Sequence, residues 1–234
     1  MKKQSKRLKQ LQNLIQKNFY SVEEAIRVLK KLGTAKFIES VEAHVCLNIE
    51  PKYGNQQLRT SLVLPNGIGR QVRIAVFTEP DYVKEILEMG ATIAGADNLL
   101  EDISVGKVDF DLLITTPQLM PKLAKLGRIL GPKGLMPSPK SGTVTSNLQQ
   151  TITEFQKGKV EYRADKTGIV HLQFGKITFS EQQLQENLLS VFQSIEKNKP
   201  TGVRRKYFNS FTICTTMSPS IKIELLSFKK VLQT

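Results

Sequence analysis

Residues 67–77 read Gly67-Ile68-Gly69-Arg70-Gln71-Val72-Arg73-Ile74-Ala75-Val76-Phe77, and the character of the chain changes inside them. Before this stretch, Val41, Ala43, Val45, Leu47 and Ile49 alternate with Glu42, His44, Cys46 and Asn48. That period of two predicts a strand with one buried face and one polar face. Leu58 to Leu64 is a second strand, closed by the turn Pro65-Asn66-Gly67. After the turn, Arg73 to Phe77 is a nearly continuous apolar run, followed by a helix from Asp81 to Met89. Phe110 to Thr116 (FDLLITT) is another such run, followed by a helical stretch from Met120 to Leu126. Short apolar strands alternating with helices predict a parallel α/β unit. From Lys159 the alternation returns, through Val160 and Tyr162, then Ile169-Val170-His171-Leu172 and Ile177-Thr178-Phe179.

The flanks share one character. Ser21-Val22-Glu23-Glu24 reads as a capping box opening a helix that buries Val22, Ile26, Leu29 and Leu32 and stops at Gly33. A long amphipathic helix from Glu181 to Lys197 and two strands, Phe211 to Cys214 and Ile221 to Leu225, complete the chain. The expected fold class is α/β and α+β in two domains. Residues 1–67 plus 159–234 form a split α+β domain carrying both termini, and residues 68–158 form an inserted α/β domain. Gly67 and Gly69 on entry and Gly158 on exit relieve backbone restriction where a hinge would bend. They suit ordinary turns equally well.

Charge narrows the function. The 234 residues carry 34 Lys+Arg against 21 Asp+Glu, a net charge of +13. The cations gather in three acid-poor patches: the first 31 residues, Pro121 to Lys140, and Lys199 with Arg204, Arg205 and Lys206. Clustered positive charge acts on phosphates and releases their counterions, so nucleic acid is the expected partner. No apolar run approaches the roughly 18 residues of a membrane span, and no membrane partner is expected. The N-terminal segment lacks an unbroken apolar core, which excludes a secretory signal. Its Leu8, Leu11, Leu14 and Ile15 instead predict a basic amphipathic helix. Two cysteines, Cys46 and Cys214, and two histidines leave little material for a disulfide scaffold, a zinc site or an acid–base enzyme.

Motifs of enzyme chemistry fail on detail. Gly67-Ile68-Gly69-Arg70-Gln71-Val72 lacks the third glycine of a dinucleotide fingerprint and precedes a strand instead of following one. In Gly127 to Gly134 the phosphate-loop spacing is wrong, and no Ser/Thr follows Lys133. Asp109 and Asp111 flank Phe110 on one side of a strand start, without a third ligand nearby, and read as a solvated strand end. His44 falls on the polar face, pointing to solvent or to a partner. No cofactor, small-molecule substrate, catalytic residue or metal ligand is expected. Two segments remain. Met120 to Lys140 (MPKLAKLGRILGPKGLMPSPK) reads as a fixed loop with an apolar underside, either presenting Lys and backbone N–H groups to phosphates or acting as a rigid turn. Thr215-Thr216-Met217-Ser218-Pro219-Ser220 offers hydroxyls and exposed backbone suited to ribose, or an ordinary hairpin turn.

The whole chain resembles the L-one family of large-subunit ribosomal proteins, found in the mobile stalk beside the tRNA exit site. The resemblance is carried by Lys36-Phe37-Ile38-Glu39-Ser40-Val41-Glu42, Leu64-Pro65-Asn66-Gly67-Ile68-Gly69, Met120 to Lys140 and Gly142-Thr143-Val144. Asp165-Lys166-Thr167-Gly168-Ile169-Val170-His171 and Thr216-Met217-Ser218-Pro219-Ser220 complete it. It implies a termini-bearing domain that grips large-subunit rRNA and a three-layer, Rossmann-like insertion. It further implies movement with deacylated tRNA leaving the exit site and, in bacterial relatives, repression through the protein's own mRNA. The rRNA contacts it implies are Lys36, Phe37, Glu39, Asp165, Lys166, His171, Ser210, Thr216, Met217, Ser218, Pro219 and Ser220. Phe37 could alternatively be core, and Glu39 could only orient a neighbouring Lys. Lys122, Lys125, Arg128, Lys133 and Lys140 are implied as secondary contacts to rRNA or tRNA.

The resemblance also implies a non-enzymatic monomer within the ribosome. An alignment starting almost at Met1 leaves no room for a transit peptide. Lys/Gln/Ile/Phe-rich composition points to a plastid stroma or a bacterial cytoplasm. Ser218 stands where the family usually has glycine, so strain is expected if that backbone needs a positive φ. Asn66 stands where histidine is common, and Thr60 where glycine is usual.

Overall fold

The computed structural model describes residues 5–203 and 206–233; Arg204 and Arg205 of the third basic patch lie outside them. The chain divides into two compact units, residues 1–69 with 161–234 and residues 70–160. The first begins with α1 (Lys6–Asn13), α2 (Val22–Leu32), β1 (Ser40–Leu47) and β2 (Arg59–Val63). The second runs β3 (Ile74–Phe77), α3 (Val83–Glu88), β4 (Ile93–Gly95), α4 (Asp97–Ser104), β5 (Leu112–Thr115), α5 (Met120–Ala124), α6 (Gly127–Leu130) and α7 (Leu148–Gln156). The return is β6 (Lys159–Arg163), β7 (Ile169–Lys176), α8 (Glu181–Lys197), β8 (Phe208–Thr215), β9 (Ile221–Ile223) and α9 (Leu225–Gln233).

In the first unit an antiparallel sheet has the order β7-β1-β8-β9, and β2 pairs separately with β6. Period-two patterning explains it: Val41, Ala43 and Val45 are fully buried while Ser40, Glu42, His44 and Cys46 face outward. α2, α8 and α9 pack on the buried face. There Phe192 stacks on Phe228 with ring centroids 4.5 Å apart, and Phe228 meets Phe211 at 4.7 Å. On the opposite face Ser40, Glu42, His44, His171, Ser210, Thr212 and Lys222 are partly or fully exposed, so the four strands present polar side chains outward.

Local details depart from the expected caps. Ser21 accepts from Glu24 N at 3.3 Å, but the Glu24 carboxylate does not reach back. It takes Lys17 Nζ at 2.9 Å instead, a charge-assisted bond stronger than the neutral one. Gly33 ends α2 without a left-handed turn, at φ −72°. Glycine is required there by close approach, since a Cβ would sit 2.8 Å from Ile177 Cγ1. α1 stops at Asn13, leaving Leu14 exposed, so the expected apolar stripe is shorter than its spacing suggests. Ile177-Thr178-Phe179 is a turn after β7 and not a strand. The last strand ends at Ile223, and α9 follows it.

Asn187 is the polar pin of this core. Fully buried on α8, it accepts from Asn66 N at 3.0 Å and donates to Gly67 O at 3.0 Å and Phe174 O at 2.8 Å. It therefore ties the 64–69 turn to the helix and to β7. Asn187→Ala leaves these groups without partners, and urea unfolding should report a loss of about 2–3 kcal/mol. An unchanged midpoint would exclude this role.

In the second unit β4-β3-β5 is a parallel sheet. Its strands read as continuous apolar runs because both faces are covered. Ala75, Phe77 and Leu113 pack with Leu99, Ile103, Leu123 and Leu130 on one side. Ile74, Val76 and Ile114 pack with Ile86, Ile152 and Phe155 on the other. β4, α4 and α7 were not anticipated; β4 is only three residues long, and Gly90 and Gly95 interrupt the local pattern. The start of β3 is clamped where Asp111 accepts from Arg70 at 3.0 Å and from Arg73 at 3.2 Å. Asp111 is thus an arginine-paired residue and not a free strand end. Bonds from Arg73, together with the charge of Arg70, hold its carboxyl below the ordinary range.

Candidate nucleic-acid interface

The open face of the antiparallel sheet carries His171 and Ser210, and the loops at its ends carry the other residues expected to contact RNA. Register places His44 opposite His171 on one neighbour and Thr212 on the other, and Cys46 opposite Ser210. Ser40, Glu42, Thr212 and Cys214 share this face, and Lys222 lies opposite Thr212. Strands of this length span roughly 25 Å. His171 and Ser210 sit along the middle, and loops furnish the two ends.

One end is built around Glu39. Its carboxylate is 1% exposed and accepts from Ala35 N at 2.9 Å, Thr215 Oγ1 at 2.5 Å and Met217 N at 3.0 Å. Burial alone would raise its pKa, but these donors and Arg7 at 3.8 Å outweigh it and hold the carboxyl below its ordinary value. Both oxygens are engaged inside, where they join the 35–39 turn to the 215–217 turn, an arrangement that matches the orienting alternative for Glu39 better than a direct RNA contact. Thr216 reinforces the junction, its hydroxyl accepting from Ser40 N at 3.0 Å and its N–H donating to Ser40 O at 3.1 Å. Lys36, Phe37, Ile38, Thr216 and Met217 are left outward, with Phe37 54% and Met217 52% exposed, so Phe37 is not core.

Ser218 does not strain the loop. Among the described residues no non-glycine has a positive φ. The Ser218 hydroxyl accepts from Thr215 N at 2.9 Å and donates to Pro219 O at 3.1 Å, closing the turn from inside. Arg7, undistinguished among the N-terminal cations, also belongs here. It donates to Thr34 Oγ1 at 3.0 Å and to Met217 O at 3.4 Å.

The other end is the Asp165–Gly168 turn. Asp165 Oδ1 accepts from Thr167 N at 2.9 Å and Ile169 N at 2.8 Å, which uses much of the carboxylate within the turn and, led by the Ile169 bond, lowers its pKa. Lys166 projects outward from it. Gly168, at φ 82°, is packed so closely that a Cβ would lie 3.0 Å from Ile49 O.

In the second unit Lys122, Lys125, Arg128, Lys133 and Lys140 are exposed. The segment carrying them is not a single loop: it forms α5 and α6, held by buried Leu123 and Leu130. Its serine-rich end is a hydrogen-bonded knot. Ser138 N donates to Thr143 Oγ1 at 2.8 Å, Ser141 Oγ donates to Ser138 O at 3.0 Å, and Ser141 and Thr143 are buried. Those hydroxyls serve the fold, and Val144 then bridges to β5 at Thr115. A cavity of about 630 Å³ opens beyond Thr78 and Thr116, at the carboxyl ends of β3 and β5. Its lining includes Glu79 and Glu85 but no Lys or Arg. Gly67, Gly69 and Gly158 have φ of 67°, 74° and 106°, near where the chain passes between units.

Among the described residues the sheet face carries no Phe, Tyr or Trp, and its only aromatic rings are those of His44 and His171. Hydroxyls, thiols and imidazoles lie in the centre, with Arg7, Lys36 and an apolar rim at one end and Lys166 at the other. Such a surface offers the charges and hydrogen-bonding groups suited to phosphates and ribose hydroxyls.

Comparison with known proteins supplies the context. The profile of the Ribosomal protein L1p/L10e family matches residues 29–219. The large ribosomal subunit protein uL1c of Phaeodactylum tricornutum is 61% identical over 90% of this chain and 91% of its own length. That of Trieres chinensis is 55% identical over 97% of this chain and 100% of its own. The large ribosomal subunit protein uL1 of a Synechococcus strain is 51% identical over 99% and 98%.

Proposed function

This chain belongs to the Ribosomal protein L1p/L10e family, and from that premise we propose that it is a non-enzymatic constituent of the large ribosomal subunit, in a plastid or bacterial ribosome, which binds rRNA through the open sheet face of its discontinuous α+β domain. The observation carrying this reading is the junction at Glu39, which buries its own charge to hold Lys36, Phe37, Thr216 and Met217 outward beside one another. Contacts then fall to Lys36, Phe37, Lys166, His171, Ser210 and the Thr216–Ser220 loop, with Asp165 shaping the turn that presents Lys166. Phosphate charge supplies affinity, and hydroxyl and backbone groups facing ribose supply discrimination.

The inserted unit acts as a Rossmann-like domain whose exposed Lys122, Lys125, Arg128, Lys133 and Lys140 touch rRNA or departing exit-site tRNA more weakly. Gly67, Gly69 and Gly158 serve as its hinge, and the protein assists release of deacylated tRNA as a single copy within the ribosome. The same RNA face binds a similar structure in the protein's own mRNA and represses its translation.

The test is binding to a transcript of the large-subunit rRNA stalk, against a scrambled duplex of equal length, across a salt series. The stalk should bind about 10³-fold more tightly at physiological salt. A single Lys9→Ala change in α1 should reduce the salt slope by about 1 while leaving that ratio intact. Affinities for both RNAs that fall together with salt would reduce the surface to a generic polycation and overturn the reading.

A further inference from the structure

Register brings three metal-binding side chains together on the open sheet face. Glu42 lies opposite Cys214 across β1 and β8, and His44 follows two residues along the same face. His44 Nε2 is 3.2 Å from Cys214 Sγ and 3.8 Å from Glu42 Oε2. One ligand atom from each of the three residues falls within 4.8 Å of the others. We propose that Glu42, His44 and Cys214 form a binding site for one zinc ion, or a chemically similar divalent transition metal, with solvent in the fourth position. Zinc–ligand bonds of about 2.0–2.3 Å in a tetrahedron separate donor atoms by about 3.3–3.8 Å, which the two distances from His44 already match, while Glu42 and Cys214 need only a small side-chain adjustment from within 4.8 Å. A thiolate and an imidazole favour such an ion over magnesium or calcium, which select all-oxygen cages.

The neighbouring histidine gives an independent argument. His44 Nδ1 and His171 Nδ1 are 2.8 Å apart, so one proton is shared between them. His171 Nε2 faces Asp165 Oδ2 at 3.8 Å. The carboxylate favours a proton on His171 Nε2, leaving His171 Nδ1 as an acceptor. His44 then donates through Nδ1–H, and its Nε2 lone pair is directed at Cys214 and Glu42. That is the tautomer a metal ligand requires, fixed by an outer hydrogen bond as metal-bound histidines usually are. Binding releases one proton from the Cys214 sulfur to solvent, and thiolate and carboxylate together balance the two positive charges of the ion.

The site lies on the face proposed to bind RNA, and its metal affinity is measured on the free protein, so it can fail without touching the RNA reading. Untagged, reduced, full-length protein is titrated with cobalt(II), whose thiolate charge-transfer band and tetrahedral visible bands report the donor set, and then with zinc. Wild type and Cys46→Ser should each bind one cobalt with a thiolate band that one equivalent of zinc abolishes. Cys214→Ser should lose the band, and His44→Ala should lose most of the affinity. His171→Ala should weaken binding by about 10- to 100-fold while keeping the band, the signature of a positioning residue. All these side chains lie on the open face, and unchanged circular dichroism melting of the variants shows that folding is intact. No thiolate band in wild type, a band surviving in Cys214→Ser, or a band lost in Cys46→Ser would each overturn the proposal.

Discussion

Replacing Thr216 by Val and Met217 by Asp together should lower affinity for the stalk rRNA about 10³-fold, nearly to the level of a scrambled duplex. Thr216 loses the hydroxyl that accepts from Ser40 N, which loosens the loop at its base. Met217, 52% exposed beside Phe37 and Lys36, becomes a carboxylate facing phosphates. A lost hydrogen bond contributes about 1–2 kcal/mol, and like-charge juxtaposition costs several more. Together they approach the ~4 kcal/mol equivalent to three decades of affinity. The part of the loss that comes from the Thr216 hydrogen bond and the Met217 contact should persist at high salt, the part that comes from the new carboxylate is screened there, and Lys9→Ala should matter mostly at low salt. Equal losses for the double variant and for Lys9→Ala would remove the loop from the interface. Circular dichroism separates this from misfolding, since neither side chain is buried.

Glu39→Ala should destabilise the protein by about 3–5 kcal/mol, the largest effect expected of any single substitution proposed here. It strips acceptors from Thr215 Oγ1, Met217 N and Ala35 N, each costing about 1–3 kcal/mol when left unpaired away from water. Glu39→Gln keeps the shape and one acceptor, and should lose about half as much. Urea unfolding measures both. Because the Glu39 pKa is held below its ordinary value of 4.5, its contribution is complete above that pH and is lost as pH falls through the folded-state value. At temperatures where Glu39→Ala remains folded, rRNA affinity should still fall, because the buried carboxylate positions the two turns. Full stability in Glu39→Ala, or lost stability with unchanged rRNA affinity, would show that the two turns are not positioned through this carboxylate.

Period-two alternation at Val41–Ile49 located β1 and its buried face, because a half-covered strand leaves that pattern in any sequence. Continuous apolar runs at 73–77 and 110–116 located strands covered on both sides, and the 181–197 helix was legible to the residue. β4 was not, because three residues ending in Gly95 carry no resolvable period; the eight residues of α4 bury only Leu99 and Ile103, too few to stand out as an apolar stripe. The charge patches pointed to a polyanion, but long-range charge does not say which cation faces it, and Arg7 was indistinguishable from its neighbours. The rRNA residues outside basic patches, such as Ser210, came through resemblance alone.

What the sequence by itself determined was the class of each segment, the excess positive charge, and the family, all of which depend on local pattern and composition. Only the tertiary structure decided that Glu39 faces inward and Met217 outward, and that Ser218 closes a turn without strain. It alone set Cys214 beside His44, 170 positions away in the chain. The physical reason is register: pairing β1 with β7 and β8 sets which side chains share a face, and a slip of one residue would reverse every one of them.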